Sequence, residues 1–142
     1  MTSEHPAIQG GTPAVAFQDP SIGLFTRNVI RLVKFYEGLG FRETYRNPTT
    51  GPPEHVELKL AGLTIAVSSV DAAIASHGLN PDLGGRPVYI LLWTRDTDAA
   101  YTRLTAEGAS SLRPPHDFLP NLRTAWVADP DGNPISLAQR RD

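Results

Sequence analysis

The chain has no cysteine among its 142 residues, which excludes a disulfide framework, a zinc–thiolate centre and a thiol nucleophile. Any metal would need imidazole and carboxylate donors, and only four histidines are on offer. Charge of one sign is also lacking: 13 Lys and Arg stand against 15 Asp and Glu, a net charge of −2. Without a basic field to hold a phosphate backbone, nucleic acid is not an expected partner. No apolar run approaches the ~20 residues that span a bilayer. The N-terminus lacks the basic-then-apolar pattern of a secretory signal. The expectation is a cytoplasmic protein with no membrane partner. The length suits one domain, or two small repeated modules sharing a core.

What the chain does have is punctuation, with 13 prolines and 12 glycines. Residues 1–20 read as an irregular arm in which only Ala14 to Phe17 is apolar enough to dock. From Ser21, alternation of Ile22 and Leu24 with Gly23 and Phe25 has the period of a strand. Asn28 can cap a helix from Val29 to Leu39, whose Val29, Leu32, Val33 and Tyr36 fall on one face. A strand over 41–46, the loop Asn47 to Pro53, and a hairpin turning at Ala61-Gly62 complete a β-α-β-β-β module over 21–70. Residues 71–86 read as a linker with a short helix-capable run, Asp71 to Ala75. The grammar then returns over 87–142: strand Pro87 to Thr94, cap Asp96, helix Thr97 to Glu107, a short strand near Ser111, the loop Pro114-Pro115 and a last hairpin. The element order is an internal repeat.

That last hairpin, Val127-Ala128-Asp129-Pro130-Asp131-Gly132-Asn133-Pro134-Ile135-Ser136-Leu137, has turn chemistry at its centre. Pro130 presets φ, Gly132 admits positive φ, and Asp129 and Asn133 can bind backbone groups locally. It resembles the final hairpin of the vicinal-oxygen-chelate superfamily, which includes glyoxalase I, extradiol dioxygenases, fosfomycin-resistance enzymes and bleomycin-binding proteins. Phe35-Tyr36-Glu37-Gly38-Leu39-Gly40-Phe41 is similar to the signature that closes the superfamily's first helix, one residue shorter. The helix Asp96 to Leu104 resembles its second-module counterpart. The resemblance implies an α+β fold: two βαβββ modules curled into a half-open mixed β-barrel cup, with the helices outside.

Strand periodicity assigns faces within that architecture. If Ile22 and Leu24 pack on the helix, Ser21, Gly23 and Phe25 face the cup. Ile90 and Leu92 go outward, leaving Tyr89, Leu91 and Trp93 inside. Ile135 and Leu137 go outward, leaving Ser136 inside with Trp126 opposite it. The Ala61-Gly62 turn pairs Glu57 with Ala66, so His55, Glu57 and Lys59 line the cup with Thr64, Ala66 and Ser68.

The resemblance also implies a test. In the superfamily's metalloenzymes the ligands occupy cup-facing positions in the first and last strands of each module, and the final hairpin ends in a glutamate ligand. Those positions here are Ser21, about Ala66, Tyr89 and Ser136, none an imidazole or a carboxylate. The expectation is no metal and no other cofactor. His5, His77 and His116 fall in arm, linker and Pro-rich loop, ordinary places for solvated imidazoles. His55 beside Glu57 could be a partly exposed polar strand end or an acid–base pair. Aromatic surface takes the place of ligands: Phe25, Tyr89, Trp93 and Trp126, with Phe118 and Leu119 from the loop. These could fill a core or wall a ligand cup. A cup with aromatic walls and no metal ligands resembles the antibiotic-sequestering members, which bind a drug without transforming it.

Three functions follow as expectations. The first is a homodimer sequestering an aromatic or polycyclic natural product through Phe25, His55, Glu57, Tyr89, Trp93, Phe118, Trp126 and Ser136. The second is a metal-free cyclase or isomerase in which His55 or Glu57 moves a proton. The third is a degenerate enzyme serving as a sensor or partner module.

Overall fold

The computed structural model describes residues 18–85 and 88–141. The first unit runs β1 (Ile22–Thr26), α1 (Val29–Gly38), β2 (Arg42–Asn47), β3 (His55–Leu60) and β4 (Leu63–Ser69). After α2 (Val70–His77), the second runs β5 (Ile90–Trp93), α3 (Thr97–Ala106), β6 (Ser110–Leu119), β7 (Leu122–Ala128) and β8 (Pro134–Arg140). Each unit forms a four-stranded mixed sheet, ordered β1-β4-β3-β2 and β5-β8-β7-β6. In each, the first strand lies parallel to the last and the other pairs are antiparallel. The fold is α+β, with two open sheets of matching topology.

The helices form where sequence chemistry allows. Asn28 caps α1, its side-chain oxygen accepting from the Arg31 amide at 3.1 Å, and Asp96 caps α3 in the same way through Ala99. These bonds satisfy amides that a helix start leaves orphaned. Val29, Leu32, Val33 and Tyr36 are the buried stripe of α1. They pack in one core with Val56, Leu58, Ile65 and Val67 of the first sheet and with Ala125, Val127, Ile135 and Leu137 of the second. Burying such a side chain contributes roughly 1.5–3 kcal/mol. One face of each sheet is thereby committed to the core, and the other stays open.

Polar contacts tie the two units together. The Tyr36 hydroxyl donates to Asp129 Oδ2 at 2.7 Å across 93 positions of sequence. Asp129, almost fully buried, also accepts from the Asp131 and Asn133 amides at 2.9 Å and from Asn133 Nδ2 at 2.8 Å. Gly132 takes a φ of 90° in this turn, where a side chain would be strained. The hairpin between β7 and β8 is therefore locked to α1 through Asp129, and through Asp131, which accepts from Arg31 at 2.8 Å.

Three expectations change. β6 is a ten-residue strand that runs straight through Pro114 and Pro115, where the sequence suggested a short strand and a loop. It is an edge strand, so a proline with no N–H costs nothing on its outward side, and its register shifts at three places absorb the misfit. His116, Phe118 and Leu119 thus belong to a strand and not to a loop. The linker contains an eight-residue helix, α2, capped by Ser69 through the Ala72 amide and closed by Gly78 in the left-handed conformation. Ile22, the first residue of an edge strand, is exposed and only Leu24 of the expected pair packs against the core. The apolar run Ala14 to Phe17 and the start of the fifth strand at Pro87 lie outside the described residues.

Candidate functional site

The register builds the open face of the first sheet. His55 lies opposite Ser68 and Glu57 opposite Ala66 across the β3–β4 ladder, while Tyr45 of β2 lies opposite Glu57. Because residues two apart share a side, His55, Glu57, Ser68, Ala66 and Tyr45 face the same way. Their contacts are close: His55 Nε2 is 2.9 Å from Glu57 Oε2, His55 Nδ1 is 3.0 Å from Ser68 Oγ, and the Tyr45 ring meets the imidazole edge-on at 6.0 Å. A cavity of about 460 Å³ opens beside this cluster, lined by Phe25, Tyr45, His55 and Ser68 below and by Ala72, Ala73 and His77 of α2 above. Phe25 and His55 thus line one space, and Glu57 reaches it only through its contact with His55.

The second sheet makes a different patch. Leu91 lies opposite Ser136, and Ser136 opposite Trp126, so Tyr89, Leu91, Trp93, Trp126 and Ser136 share the open face. The Tyr89 and Trp126 rings are 5.1 Å apart at 60°, within the range of favourable aromatic pairing. Tyr89 is 55% exposed and Trp93 50%. Over Trp93 stands the Arg140 guanidinium, 3.9 Å from the ring centroid, a cation–π arrangement. Ser136 is only 3% exposed and forms floor more than wall. Phe118 is 65% exposed at the far end of β6, beside the turn to β7.

A divalent metal would need donors that converge, and the positions that the superfamily resemblance assigns to ligands do not supply them. Ser21, Ala66, Tyr89 and Ser136 stand there, two hydroxyls, a methyl and a phenol in place of imidazoles and carboxylates. Among the described residues, no three histidine, aspartate or glutamate side chains come together to hold an ion. The residues present do not fit the metal that this architecture carries in its metalloenzymes.

With two βαβββ sheets, an open face on each and the locked final hairpin in view, sequence comparison gives the family. Residues 18–137 match the Glyoxalase/Bleomycin resistance protein/Dioxygenase superfamily. The chain belongs to that superfamily. No curated protein matches the chain. Its fold is similar to that of TioX from Micromonospora sp. ML1, with a TM-score of 0.66 and 24% identity over 86% of this chain and 99% of that one. The fosfomycin resistance protein FosX from Mesorhizobium loti superposes with a TM-score of 0.61 and 17% identity, over 88% of this chain and 93% of that one. A member of the superfamily from Sphaerobacter thermophilus DSM 20745 gives 0.62 and 27% identity, over 87% and 98% of the two chains. A protein named for fosfomycin resistance therefore shares the fold, and no helix among the described residues is long and apolar enough to cross a membrane.

Sequence reasoning missed three contributors and one bond. Tyr45 was hidden because the strand over 41–46 carries a bulge between Glu43 and Tyr45, which breaks simple alternation. Arg140 lies just beyond the recognisable hairpin. The α2 side of the cavity had a signal, the cap Ser69 and the closing Gly78, that reads clearly once a helix is suspected. Ser68 was placed on the correct face, but its bond to His55 needs the register to be seen.

Proposed function

We propose that this protein binds an aromatic or polycyclic small molecule without the help of a metal, on the open faces of its sheets. The observation that carries the reading is the Tyr89–Trp126 pair at 5.1 Å beside the half-exposed Trp93. Large aromatic groups left in water on the open face of a sheet offer flat faces for stacking, and their N–H and O–H groups fix orientation. Phe25, His55 and Glu57 provide a second wall, with Phe118 and Ser136 at the margins. The ligand fits the class of an aromatic natural product, and the role fits antibiotic resistance or self-resistance in the cytoplasm. A homodimer would bring the first-sheet face of one protomer to the second-sheet face of its partner and complete two cups. The modules 21–70 and 87–142, with 71–86 between them, are the halves that such pairing would combine.

A second reading is favoured by one contact. His55 Nε2 and Glu57 Oε2 lie 2.9 Å apart, a coupled pair able to move a proton in a metal-free isomerase or cyclase. Recovery of unaltered compound after prolonged incubation supports binding alone. Product formed in the presence of chelator and lost in Glu57→Gln supports the second reading. The first experiment is a thermal-shift screen of aromatic metabolites with mass spectrometry of what the protein retains.

A further inference from the structure

We propose that Ser68, His55 and Glu57 form a nucleophile–base–carboxylate relay that takes an acyl group from an ester onto the Ser68 oxygen. This shares Phe25, His55 and Glu57 with the binding reading but does not depend on the aromatic face of the second sheet, since it concerns only molecules bearing a reactive acyl bond.

The direction of the relay follows from the donors. An ionised carboxylate accepts and cannot donate, so the 2.9 Å contact to Glu57 places the imidazole proton on Nε2. Nδ1 then carries the lone pair, and the Ser68 hydroxyl 3.0 Å away is the donor. Both ring nitrogens are engaged, so the group that can meet a ligand is the Ser68 oxygen, with its proton already directed at a base. That order of hydroxyl, imidazole and carboxylate is how a weak hydroxyl nucleophile is activated on unrelated folds.

The surroundings suit the chemistry. Ser68 lines the 460 Å³ cavity along with Phe25, Tyr45, Ala72 and Ala73, and that space is large enough for a small aryl ester. The corner after Ser68 is rigid: the Ser69 amide donates to the Glu54 carbonyl at 2.8 Å, and Ser69 Oγ accepts from Ala72 at 3.1 Å. α2 starts at Val70, and the N-terminal end of a helix favours developing negative charge.

In the first half-reaction Ser68 Oγ bonds to the acyl carbon while its proton passes to His55 Nδ1. The bond from carbon to the leaving oxygen breaks, and the departing alkoxide or phenoxide takes that proton. Glu57 stabilises the transient imidazolium. In the second half a water attacks the acyl-serine, gives its proton to Nδ1, and Ser68 leaves as the hydroxyl, so an ester and water become an acid and an alcohol.

The test is p-nitrophenyl acetate with the full chain, read by p-nitrophenol release and by mass spectrometry of acid-quenched protein. The expected result is one acetyl group per chain, mapped to Ser68. It should be lost in Ser68→Ala, form at least about a hundredfold more slowly in His55→Gln, and remain in Ser110→Ala on the remote edge strand. Circular dichroism and melting temperature establish that each variant is folded. Where Ser68→Ala fails to fold, modification of Ser68 in the wild-type chain by a fluorophosphonate carries the test. Absence of an adduct at Ser68 in the wild-type chain, or equal labelling in folded Ser68→Ala or His55→Gln, overturns the proposal. Quenching of indole fluorescence by aromatic ligands is measured separately, so loss of one reading leaves the other standing.

Discussion

Tyr36 keeps its proton for a structural reason. Burial raises its pKa well above the ordinary phenol range, and the Asp129 carboxylate that accepts its hydroxyl raises it further. Tyr36→Phe deletes that 2.7 Å bond but leaves Asp129 its three bonds within the turn. No buried carboxylate is orphaned, and the expected loss is about 1–2 kcal/mol in urea unfolding at neutral pH. The pH dependence has a definite sign. A group whose folded value is raised contributes fully below its unfolded value, near about 10 for tyrosine. Above that the unfolded chain sheds a proton that the folded chain keeps, so stability falls by up to about 1.4 kcal/mol per pH unit. Unfolding curves between neutral and strongly alkaline pH should show this slope in the wild type and a shallower one in Tyr36→Phe.

The absent metal ligands make a prediction at the same scale. Ser136→Glu restores one carboxylate beside Leu91 and Trp126 while the other corners remain Ser21, Ala66 and Tyr89. One donor cannot fix a coordination sphere, so calorimetric titration with Zn, Ni, Mn or Fe should show no stoichiometric binding by either protein. Metal-dependent turnover in the variant would mean that the strand positions are misassigned. The pairings behind this argument were readable in the sequence, since a two-residue turn at Ala61-Gly62 and a Pro-Asp-Gly turn each fix a register. The Tyr36–Asp129 bond was not: no local pattern couples residues 93 apart.

Among the elements, α1, α3 and the two inner hairpins were legible because caps, period and turn chemistry agree. β6 was not, because proline argues against a strand until the strand is known to be an edge. α2 was read as part of a linker because three small alanines in an eight-residue stretch give it little amphipathic signal, and its stability rests on its ends. Removing the Ser69 cap with Ser69→Ala should cost about 1 kcal/mol. The check is hydrogen exchange: amides over 70–77 should lose protection first, with β3 and β4 unaffected. Equal loss across the first sheet would mean that α2 is integral to the core and not a separable cover for the cavity.

Among the described residues, the molecule as a whole presents two open faces and four sheet edges. Tyr89, Leu91, Trp93 and Phe118 are all exposed on or near the second of those faces, and contiguous exposed apolar surface marks an interaction site. Pairing of two chains would cover the rims and some of the edges, so light scattering at micromolar concentration should give twice the chain mass of 15.4 kDa. A monomer there would contradict the dimer. The repeat could be anticipated from element order, and the two-module architecture with its open cup from the resemblance of the motifs. The division of the aromatic and His55 clusters between two sheets could not, because periodicity gives the side of a strand but not the partner of a sheet.

The most direct test is of the aromatic face itself, through the melting temperature and ligand affinity of Trp93→Ala and Trp126→Ala. A ligand found by thermal shift should quench indole fluorescence saturably, and losing one stacking wall should weaken it by roughly 1–3 kcal/mol, about ten- to a hundredfold. The fold should lose less than the ~3–5 kcal/mol typical of a fully buried aromatic, since Trp93 is half exposed. Two folded variants with selectively weakened binding are the predicted result; two variants that fail to fold, or that bind the ligand as tightly as the wild type, would contradict the account.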